Sequence, residues 1–319
     1  MLTKKRLSSL LLTCSFFLIL SCGGGGDSGG VGYVPGPSTP PTPTTSSGCG
    51  VTCSAGEPID LGNGVWEARN ASCECINDAI QSAGSGDTVK VPAGSYNWGN
   101  HYLSVSKAVK LIGAGSGNAE TCNGSTSTCI SGTGTLFRFN TPSTPAIFAF
   151  RLSGFHLSSS VNYMGYIYGA GSGWRIDHNY FHHTYDANGY KKAVIQPYAN
   201  SGYWTLYGLI DSNTFKNVYI YLNGGAASGE QSWSSSAQWS TANALFIENN
   251  FFDGSDSTTL GVALDSQTGG RAVVRYNKFH ETYILAHSAC ESSVRGARSY
   301  EIYNNEFKST NSRFWGTYV

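Results

Sequence analysis

Three carboxylates, an arginine and a tyrosine occupy the third position of a repeated motif. The copies read RIDHNYF, LIDSNTF, FIENNFF, VVRYNKF and EIYNNEF, and their third residues are, in turn, Asp177, Asp211, Glu248, Arg275 and Tyr303. If the copies stack in parallel, these side chains lie about 4.8 Å apart, and the carboxylates repel one another unless a cation neutralises them. Calcium accepts such irregular sets of oxygen ligands. The pattern therefore predicts a calcium site beside Arg275; the alternative is a solvated polar face with Arg275 paired to Glu248.

A second set of polar residues precedes these motifs in strand-like runs. Gln196, Asn223, Asp265 and His287 are expected to form one column, with Asp265 beside His287. A carboxylate in that position would orient the imidazole and raise the imidazole pKa, as in pairs that transfer a proton. The alternative is a ladder of surface hydrogen bonds.

Arginine side chains gather just after this second set. The stretch ESSVRGARSYE contains Arg295, Arg298 and Glu301. Arginine forks match the geometry of carboxylates, including those of acidic sugars. We expect these residues to bind substrate; the alternative is that they pair with nearby acids and hold the loop.

A long insertion carries two tryptophans. Residues Gly224 to Asn243, predicted to join two strands of one coil, are rich in Ser and Gly and contain Trp233 and Trp239. Loops of this length in a compact domain are commonly binding elements. The indole rings could stack on a sugar, or they could fold back and cover the domain.

The five motifs align on an asparagine, which defines the repeat. Asn179, Asn213, Asn250, Asn277 and Asn305 are separated by 34, 37, 27 and 28 residues, and RLSGFHL at position 151 is a degenerate sixth copy. Units this short cannot bury an apolar face alone, so they are expected to stack into a solenoid. We expect the asparagines to superpose at a corner, and the phenylalanines two residues later to fill the interior.

The elements that would position these residues are short strands. Across 145–310, β-branched or aromatic runs alternate with Gly, Ser and Asn, without a helical period. The segments INDAIQSAGSGDTVKVPAGSYNW, from Ile76, and VSKAVKLIGAGSG, from Val105, resemble the N-terminal part of right-handed parallel β-helix proteins of the pectate-lyase-like superfamily. The resemblance extends over most of residues 70–310. It implies an all-β, right-handed parallel β-helix with a short N-terminal capping helix, here expected over Ala71–Ala83.

The same resemblance implies action on polysaccharide. Enzymes of that superfamily hold calcium between stacked acidic residues and an acidic sugar, and an arginine one coil along acts as base; Arg275 occupies a comparable place. A lyase acting on a uronate-containing glycan would use Arg275 or His287 as base, with Asp265 supporting the latter. A glycoside hydrolase would need two carboxylates, drawn from Asp265, Glu248 and Glu301. The alternatives are a non-catalytic glycan-binding protein and a structural or adhesive rod.

The N-terminal residues read as an export signal followed by a tether. Three basic residues at positions 4–6 precede an apolar run of 14 residues, too short to span a bilayer comfortably. The run ends in ILSC, which resembles a bacterial lipobox with Cys22 as the lipidated residue; the alternative is an ordinary secretory signal. Of the 25 residues at 23–47, 21 are Gly, Pro, Ser or Thr, as in a linker.

These features predict four regions. Residues 1–21 are the signal peptide, 22–47 the lipidated cysteine and tether, 48–140 the cysteine-containing cap and first coils, and 141–319 the repeats. No polar cap follows Phe307, which predicts either a truncated C-terminus or last residues that fold across the end. The protein is expected to be exported and anchored to the outer membrane or cell surface through lipid alone.

Composition indicates which binding partners to expect and whether the cysteines form disulfides. Only 13% of residues are charged and the net charge is zero, so nucleic acid is not an expected partner. Six cysteines lie between Cys22 and the repeats, and in an exported protein they are expected to form disulfides: Cys49, Cys53, Cys73, Cys75, Cys122 and Cys129. Their pairing is open, and a zinc site is the alternative for the first four. Cys290 is expected to be a small buried apolar residue.

Replacing Cys22 tests the lipid anchor. Cys22→Ser removes the sulfur that would carry the acyl chains, so the protein should leave the membrane fraction and lose labelling by radioactive palmitate. Cys14→Ser, within the apolar run, is the matched control and should change neither. Equal labelling of both variants would contradict the prediction.

Overall fold

The computed structural model describes residues 48–50, 52–118, 121–160, 164–183, 192–198, 206–223, 233–234, 236, 238–255, 261–286, 296–310 and 317–318. Within these ranges the chain forms a helix of ten residues and a stack of short strands.

The helix α1 (Cys73–Ser82) lies before the stack. Ser72 is its N-cap, and the Ser72 side chain accepts a hydrogen bond from a backbone N–H of the first turn at 3.3 Å. Ile76 and Ile80 are buried in the same apolar core as the strands that follow. This confirms the capping helix expected over Ala71–Ala83. In the described ranges, no helix is long and apolar enough to cross a membrane.

The strands follow in chain order. The first eight are β1 (Ile59–Asp60), β2 (Val65–Glu67), β3 (Thr88–Val91), β4 (Gly94–Asn97), β5 (Leu103–Val105), β6 (Lys110–Gly113), β7 (Thr128–Gly132) and β8 (Phe137–Asn140). The next eight are β9 (Ala146–Ile147), β10 (Arg151–Ser153), β11 (Phe155–Ser159), β12 (Gly165–Tyr168), β13 (Gly171–Ser172), β14 (Trp174–Asp177), β15 (Tyr180–His183) and β16 (Lys192–Tyr198). The last twelve are β17 (Gly208–Asp211), β18 (Thr214–Lys216), β19 (Val218–Asn223), β20 (Leu245–Glu248), β21 (Phe251–Asp253), β22 (Gly261–Gln267), β23 (Arg271–Arg275), β24 (Lys278–His280), β25 (Thr282–Ala286), β26 (Ser299–Tyr303), β27 (Glu306–Lys308) and β28 (Thr317–Tyr318).

Three long sheets run along the stack. The first has the order β1-β2-β3-β6-β10-β14-β17-β20-β23-β26, the second β4-β7-β11-β15-β18-β21-β24-β27, and the third β5-β8-β12-β16-β19-β22-β25-β28. From β3 onwards each coil gives one strand to each sheet in turn, and strands of successive coils pair in parallel. The chain is therefore a right-handed parallel β-helix, as predicted.

A ladder of asparagines holds the corner between the first and second sheets. The Asn213 side-chain oxygen accepts hydrogen bonds from the Asn179 backbone N–H at 3.0 Å and from its side-chain amide at 3.1 Å. The Asn213 amide in turn donates to the Ile176 carbonyl of the preceding coil at 2.9 Å. Asn250, Asn277 and Asn305 continue the pattern. The predicted superposition of these asparagines is confirmed.

The residue before each ladder asparagine makes the turn. It has a left-handed backbone with φ between 53° and 56° in His178, Ser212, Asn249, Tyr276 and Asn304. In the degenerate copy, Gly154 alone forms the corner with φ of 79°. A Cβ at Gly154 would lie 2.8 Å from the Gly113 carbonyl oxygen, so only glycine fits there.

The interior is filled by matching apolar columns. Phenylalanine rings of successive coils stack in parallel, with centroids 4.6–5.0 Å apart from Phe181 through Phe307. Buried aliphatic side chains form the equivalent column of the first sheet: Leu111, Leu152, Ile176, Ile210, Ile247 and Val274. Each coil thus covers the apolar face of its neighbour, which confirms the predicted role of the phenylalanines.

Three disulfides lie at the N-terminal end. Two attach the segment before the cap to α1 and its first turn, and the third closes the loop between β6 and β7: Cys49–Cys73, Cys53–Cys75 and Cys122–Cys129. Their Cα–Cα distances of 5.4, 4.4 and 5.9 Å lie in the range that disulfides span. Disulfides use all four cysteines of the alternative zinc site, so that alternative is wrong.

Removing one rung should destabilise the stack. In Asn250→Ala the buried Asn213 N–H and Ile210 carbonyl lose their partners, which should lower the free energy of unfolding by about 3 kcal/mol. Urea unfolding followed by circular dichroism measures the change. The control is Asn249→Gly at the exposed left-handed position, expected within about 0.5 kcal/mol of wild type. Equal losses in both variants would refute the ladder's contribution.

Candidate functional site

The first predicted column exists on the outer face of the first sheet. Parallel pairing places Asp177 opposite Asp211, then Glu248, Arg275 and Tyr303 in successive coils. The asparagine two residues later fixes this register in every coil. The residues therefore align as the motif spacing predicted.

Arginines of neighbouring coils bind the carboxylates of this column. Arg151 donates through Nε and Nη2 to the two oxygens of Asp177 at 2.7 and 2.5 Å, and Arg175 binds Asp211 in the same way at 2.8 and 2.7 Å. Arg275 Nε donates to Glu248 at 2.5 Å. Arg151 and Arg175 precede the acidic column by two residues and face the same side of the sheet, so each reaches diagonally to the next coil. The signal for this pairing was an arginine two residues before the column position, as Arg151 precedes Ser153 and Arg175 precedes Asp177.

These contacts set the titration behaviour of the column. Burial alone would raise the pKa of Asp177, but hydrogen bonds from Arg151 and His178 and the charges of Arg151 and Arg175 outweigh it and hold the pKa below its ordinary value. Hydrogen bonds to Tyr303 and Glu248 raise the pKa of Arg275. A general base must be deprotonated before it can accept a proton from the substrate. A raised pKa keeps Arg275 protonated, so this environment does not suit Arg275 for that task.

The column does not fit calcium in this arrangement. Three guanidinium groups balance three carboxylates, and bidentate forks occupy both oxygens of Asp177 and Asp211. Across the described ranges, no group of three or more His, Cys, Asp or Glu side chains is arranged to hold a metal ion. The observed pairing of Arg275 with Glu248 is the alternative that the sequence left open.

The second predicted column is wrong in its register. Asp265 lies opposite Tyr221 and Leu285, and Asn223 lies opposite Tyr198 and Gln267. Chain segments of unequal length precede these strands, and register shifts occur within β16–β19 and β22–β25. Residues of the third sheet therefore do not lie at a constant distance from the ladder asparagine, and the motif spacing does not predict how they pair. His287 lies outside the described residues.

The outer face of the third sheet is polar, aromatic and largely covered. Seven outward-facing side chains are no more than 8% exposed: Tyr166, Gln196, Tyr198, Tyr221, Asn223, Asp265 and Gln267. Tyr221 donates to the Gln267 side-chain oxygen at 2.8 Å, and the Thr268 hydroxyl donates to the Asn223 side-chain oxygen at 2.8 Å. Outward polar side chains on a solenoid ordinarily face water, whereas these are covered and bonded to one another, so a ligand can reach this face only at its partly exposed residues.

Tyrosines and an arginine line the earlier coils of this face. The Tyr168 ring lies 5.1 Å from Tyr166 and 5.6 Å from Tyr198, measured between centroids. The Arg138 guanidinium lies 4.0 Å from the centroid of the Tyr102 ring. Burial raises the pKa of Tyr168 to about 12, with Arg138 opposing and Tyr198 adding to the shift. The Tyr168 hydroxyl therefore remains a neutral hydrogen-bonding group at physiological pH.

Two arginines and a tryptophan meet at the corner between the third and first sheets. The Trp233 indole N–H donates to the Gly296 carbonyl at 3.1 Å, and the Arg298 guanidinium lies 5.2 Å from the centroid of the Trp233 ring. Arg271 opens strand β23 at this corner and donates to the Ser236 carbonyl. Burial lowers the pKa of Arg271, the positive charge of Arg298 lowers it further, and Tyr207 opposes the shift.

This corner combines positive charge with an unsatisfied donor. Arg298 Nε is buried and has no hydrogen-bond partner in the described part of the chain. Two neighbouring guanidinium groups repel each other and lose solvation on burial, and an anion placed between them would offset both costs. We call Trp233, Arg271 and Arg298 the cationic corner.

The predicted binding residues are only partly brought together. Trp233 and Arg298 meet at the cationic corner. The Glu301 carboxylate accepts a hydrogen bond from the Ser240 N–H at 3.0 Å, so it anchors the tryptophan-bearing segment, whereas Trp239 is 53% exposed. Arg295 and Cys22 lie outside the described residues.

The insertion that carries the tryptophans and the residue Arg271 both differ from what the sequence predicted. The insertion at 224–243 joins the third strand of one coil, β19, to the first strand of the next, β20, and not two strands of one coil as predicted. Arg271 was missed by the sequence reasoning; its signal was a charged residue directly after the TGG turn in a chain with few charges.

The chain matches no protein-family model, no curated protein and no solved structure.

Acid should weaken the Asp177 fork. The pKa of Asp177 is held below its ordinary value of 3.8, so its stabilising effect is complete above that pH and is lost as the pH falls through the lower folded-state pKa. Asp177→Asn should cost about 2 kcal/mol at pH 7, and the gap from wild type should narrow towards pH 3 in urea unfolding. Glu306→Gln, an exposed carboxylate of β27, is the control. A gap that is independent of pH would refute the assignment.

Proposed function

We propose that the protein binds an acidic polysaccharide whose carboxylate is held at the cationic corner. One observation carries the proposal: Arg298 lies over the Trp233 ring and next to Ser299, the strand partner of Arg271, and Arg298 Nε is buried without a hydrogen-bond partner in the described ranges. Arginine forks bind planar carboxylates through two parallel hydrogen bonds. An indole ring beside them offers a flat face on which a sugar ring can stack.

The enclosed face of the third sheet extends this site along the helix axis. Tyr221, Gln267 and Asp265 lie on the strand that leads into the cationic corner or on its neighbour. Tyr168 and Arg138 lie on earlier coils of the same face. Tyr168 and Arg138 are partly exposed, and such groups on successive coils, about 4.8 Å apart, suit a polymer with many hydroxyl groups. The polymer would run across these coils, whereas Tyr221, Gln267 and Asp265 are buried beneath the surface.

A lyase reaction is a second proposal, supported by the same two arginines. Neutralising a uronate carboxylate makes the adjacent C–H more acidic. A base would take that proton, the C–H electron pair would form a carbon–carbon double bond, and the glycosidic oxygen would leave and be protonated. Asp265 and His287 are the candidate bases, and calcium has no part in this step.

Arg275 does not belong to this site. It ends strand β23, whereas Arg271 begins it. Four residues of extended strand separate the two by about 13 Å. The proposed base is therefore sought on the third-sheet side of the molecule.

The proposed location follows from the N-terminal sequence. A lipid on Cys22 and the Gly, Pro, Ser and Thr-rich tether would leave the β-helix free to reach envelope polysaccharide while remaining on the membrane.

The cationic corner can be tested by removing one charge. Arg298→Gln should weaken binding of polygalacturonate by about tenfold to a hundredfold, because a charge-assisted hydrogen bond contributes roughly 1.5–3 kcal/mol. Trp233→Ala should weaken it by about tenfold. Affinity electrophoresis measures binding, and the ultraviolet absorbance of unsaturated products measures lyase activity in the same samples.

Two controls make this test specific. Lys308→Gln removes one positive charge from the exposed second-sheet face and should leave binding unchanged. Fully methyl-esterified polygalacturonate should bind Arg298→Gln and wild type alike. Equal binding of the free acid by wild type and both corner variants would refute the proposed function, and absence of unsaturated product would refute the lyase alone.

A further inference from the structure

We propose a second glycan-binding site, for an uncharged sugar, at the asparagine corner between the first and second sheets. It consists of Tyr276 and Tyr303 with Arg275 between them, and Phe251 lies on the adjacent coil. This site goes beyond the proposed function, with which it shares only the general class of ligand.

Tyr276 is an unusual residue for the left-handed backbone position at this corner. Every coil with a ladder asparagine needs a left-handed residue just before it, and the other coils use His178, Ser212, Asn249 and Asn304. Small polar residues, and asparagine above all, tolerate this conformation, whereas an aromatic residue there is uncommon. Tyr276 adopts φ of 56° all the same. Its side chain is 50% exposed, so burial of the ring does not account for its presence.

The second observation is the arrangement of the rings. Tyr276 and Tyr303 lie 6.4 Å apart between centroids, with an angle of 80° between their planes. Tyr303 is 38% exposed, and Phe251 is also 38% exposed. Two perpendicular rings form an open angle in which one ring can stack on the face of a sugar while the other contacts its edge.

Arg275 makes this angle rigid. Its Nη1 donates to the Tyr303 hydroxyl at 3.0 Å, its Nε donates to Glu248 at 2.5 Å, and its guanidinium carbon lies 5.7 Å from the Tyr276 ring centroid. It also lies 4.8 Å from the Phe246 ring centroid. A platform fixed before binding loses little conformational entropy when the ligand arrives.

Charge distinguishes this site from the cationic corner. Arg275 is paired with Glu248, and Lys278 lies opposite Glu306 in the parallel register. Two positive and two negative groups leave no net charge, which complements an uncharged sugar and not an anion. The aromatic groups span three coils, about 10 Å along the axis. A patch of that length is small compared with a typical protein interface, which buries about 800 Å² per partner.

The two sites lie at opposite ends of the first-sheet strands, because Arg271 and Arg275 bound the same strand. Such a rod can contact two glycan chains at once. Two weak contacts on one molecule then raise the overall avidity.

The test replaces Tyr276 with the residue that two neighbouring coils use. Tyr276→Asn removes the ring and supplies the amino acid best suited to the left-handed backbone. Affinity electrophoresis in gels containing hydroxyethyl cellulose, galactomannan or xylan should show wild type retarded by at least one of them. The variant should bind that polysaccharide about tenfold more weakly. Its melting temperature should equal or exceed that of wild type.

Ser212→Asn is the matched control, at the same corner position two coils away, and should bind the uncharged polysaccharides as wild type does. A lower melting temperature for Tyr276→Asn, with unchanged retardation, would show that the ring is structural and overturn the inference. Retardation of wild type by none of the uncharged polysaccharides would also overturn it. Polygalacturonate reports separately on the cationic corner, so failure of that binding alone would refute the proposed function and leave this inference standing.

Discussion

The sharp corner between the first and second sheets imposes the constraint on which the rest of the structure depends. At each corner, backbone N–H and carbonyl groups leave the sheet ladders and are too deeply buried to reach water. The ladder asparagines satisfy them by bonding to the coil on either side, since an unsatisfied buried group costs about 1–3 kcal/mol. One residue out of register would break several of these bonds at once. The corner therefore fixes the alignment of successive coils as well as their spacing.

Fixed alignment brings identical positions of the repeat into contact, and charged positions then need compensation. On the first sheet, Arg151 and Arg175 supply it by reaching diagonally to the acid of the next coil. The aligned acids thus become a neutral, rigid column. The same alignment brings Arg271 close to Arg298, and burial together with the charge of Arg298 lowers the pKa of Arg271. The difference between these two faces is the physical reason for proposing an acidic ligand at the cationic corner.

The two ends of the first-sheet strands have different chemistry. At the cationic corner, positive charge and an indole ring suit an acidic sugar. At the asparagine corner, Tyr276 and Tyr303 form an exposed aromatic angle with no net charge around it. A β-helix is well suited to carry two such sites, because each strand has two corners and every coil repeats them. In the proposed binding mode, length along the axis, and not a closed pocket, would set how much of a polymer is bound.

Through its resemblance to β-helix proteins, the sequence predicted the capping helix. By itself it determined the coil, the asparagine ladder, the phenylalanine stack and the first-sheet column. Each of these depends on residues at a constant distance from the ladder asparagine, so a linear repeat describes them. Only the tertiary structure decided the register of the third sheet, where segments of unequal length and irregular pairing at Ala193/Ile195 and Val262/Leu264 break that constancy. It alone revealed the diagonal arginine forks and the docking of Trp233 onto Gly296, 63 residues away. Contacts that cross between coils, or return from an insertion, depend on geometry in space and leave no fixed spacing in the chain.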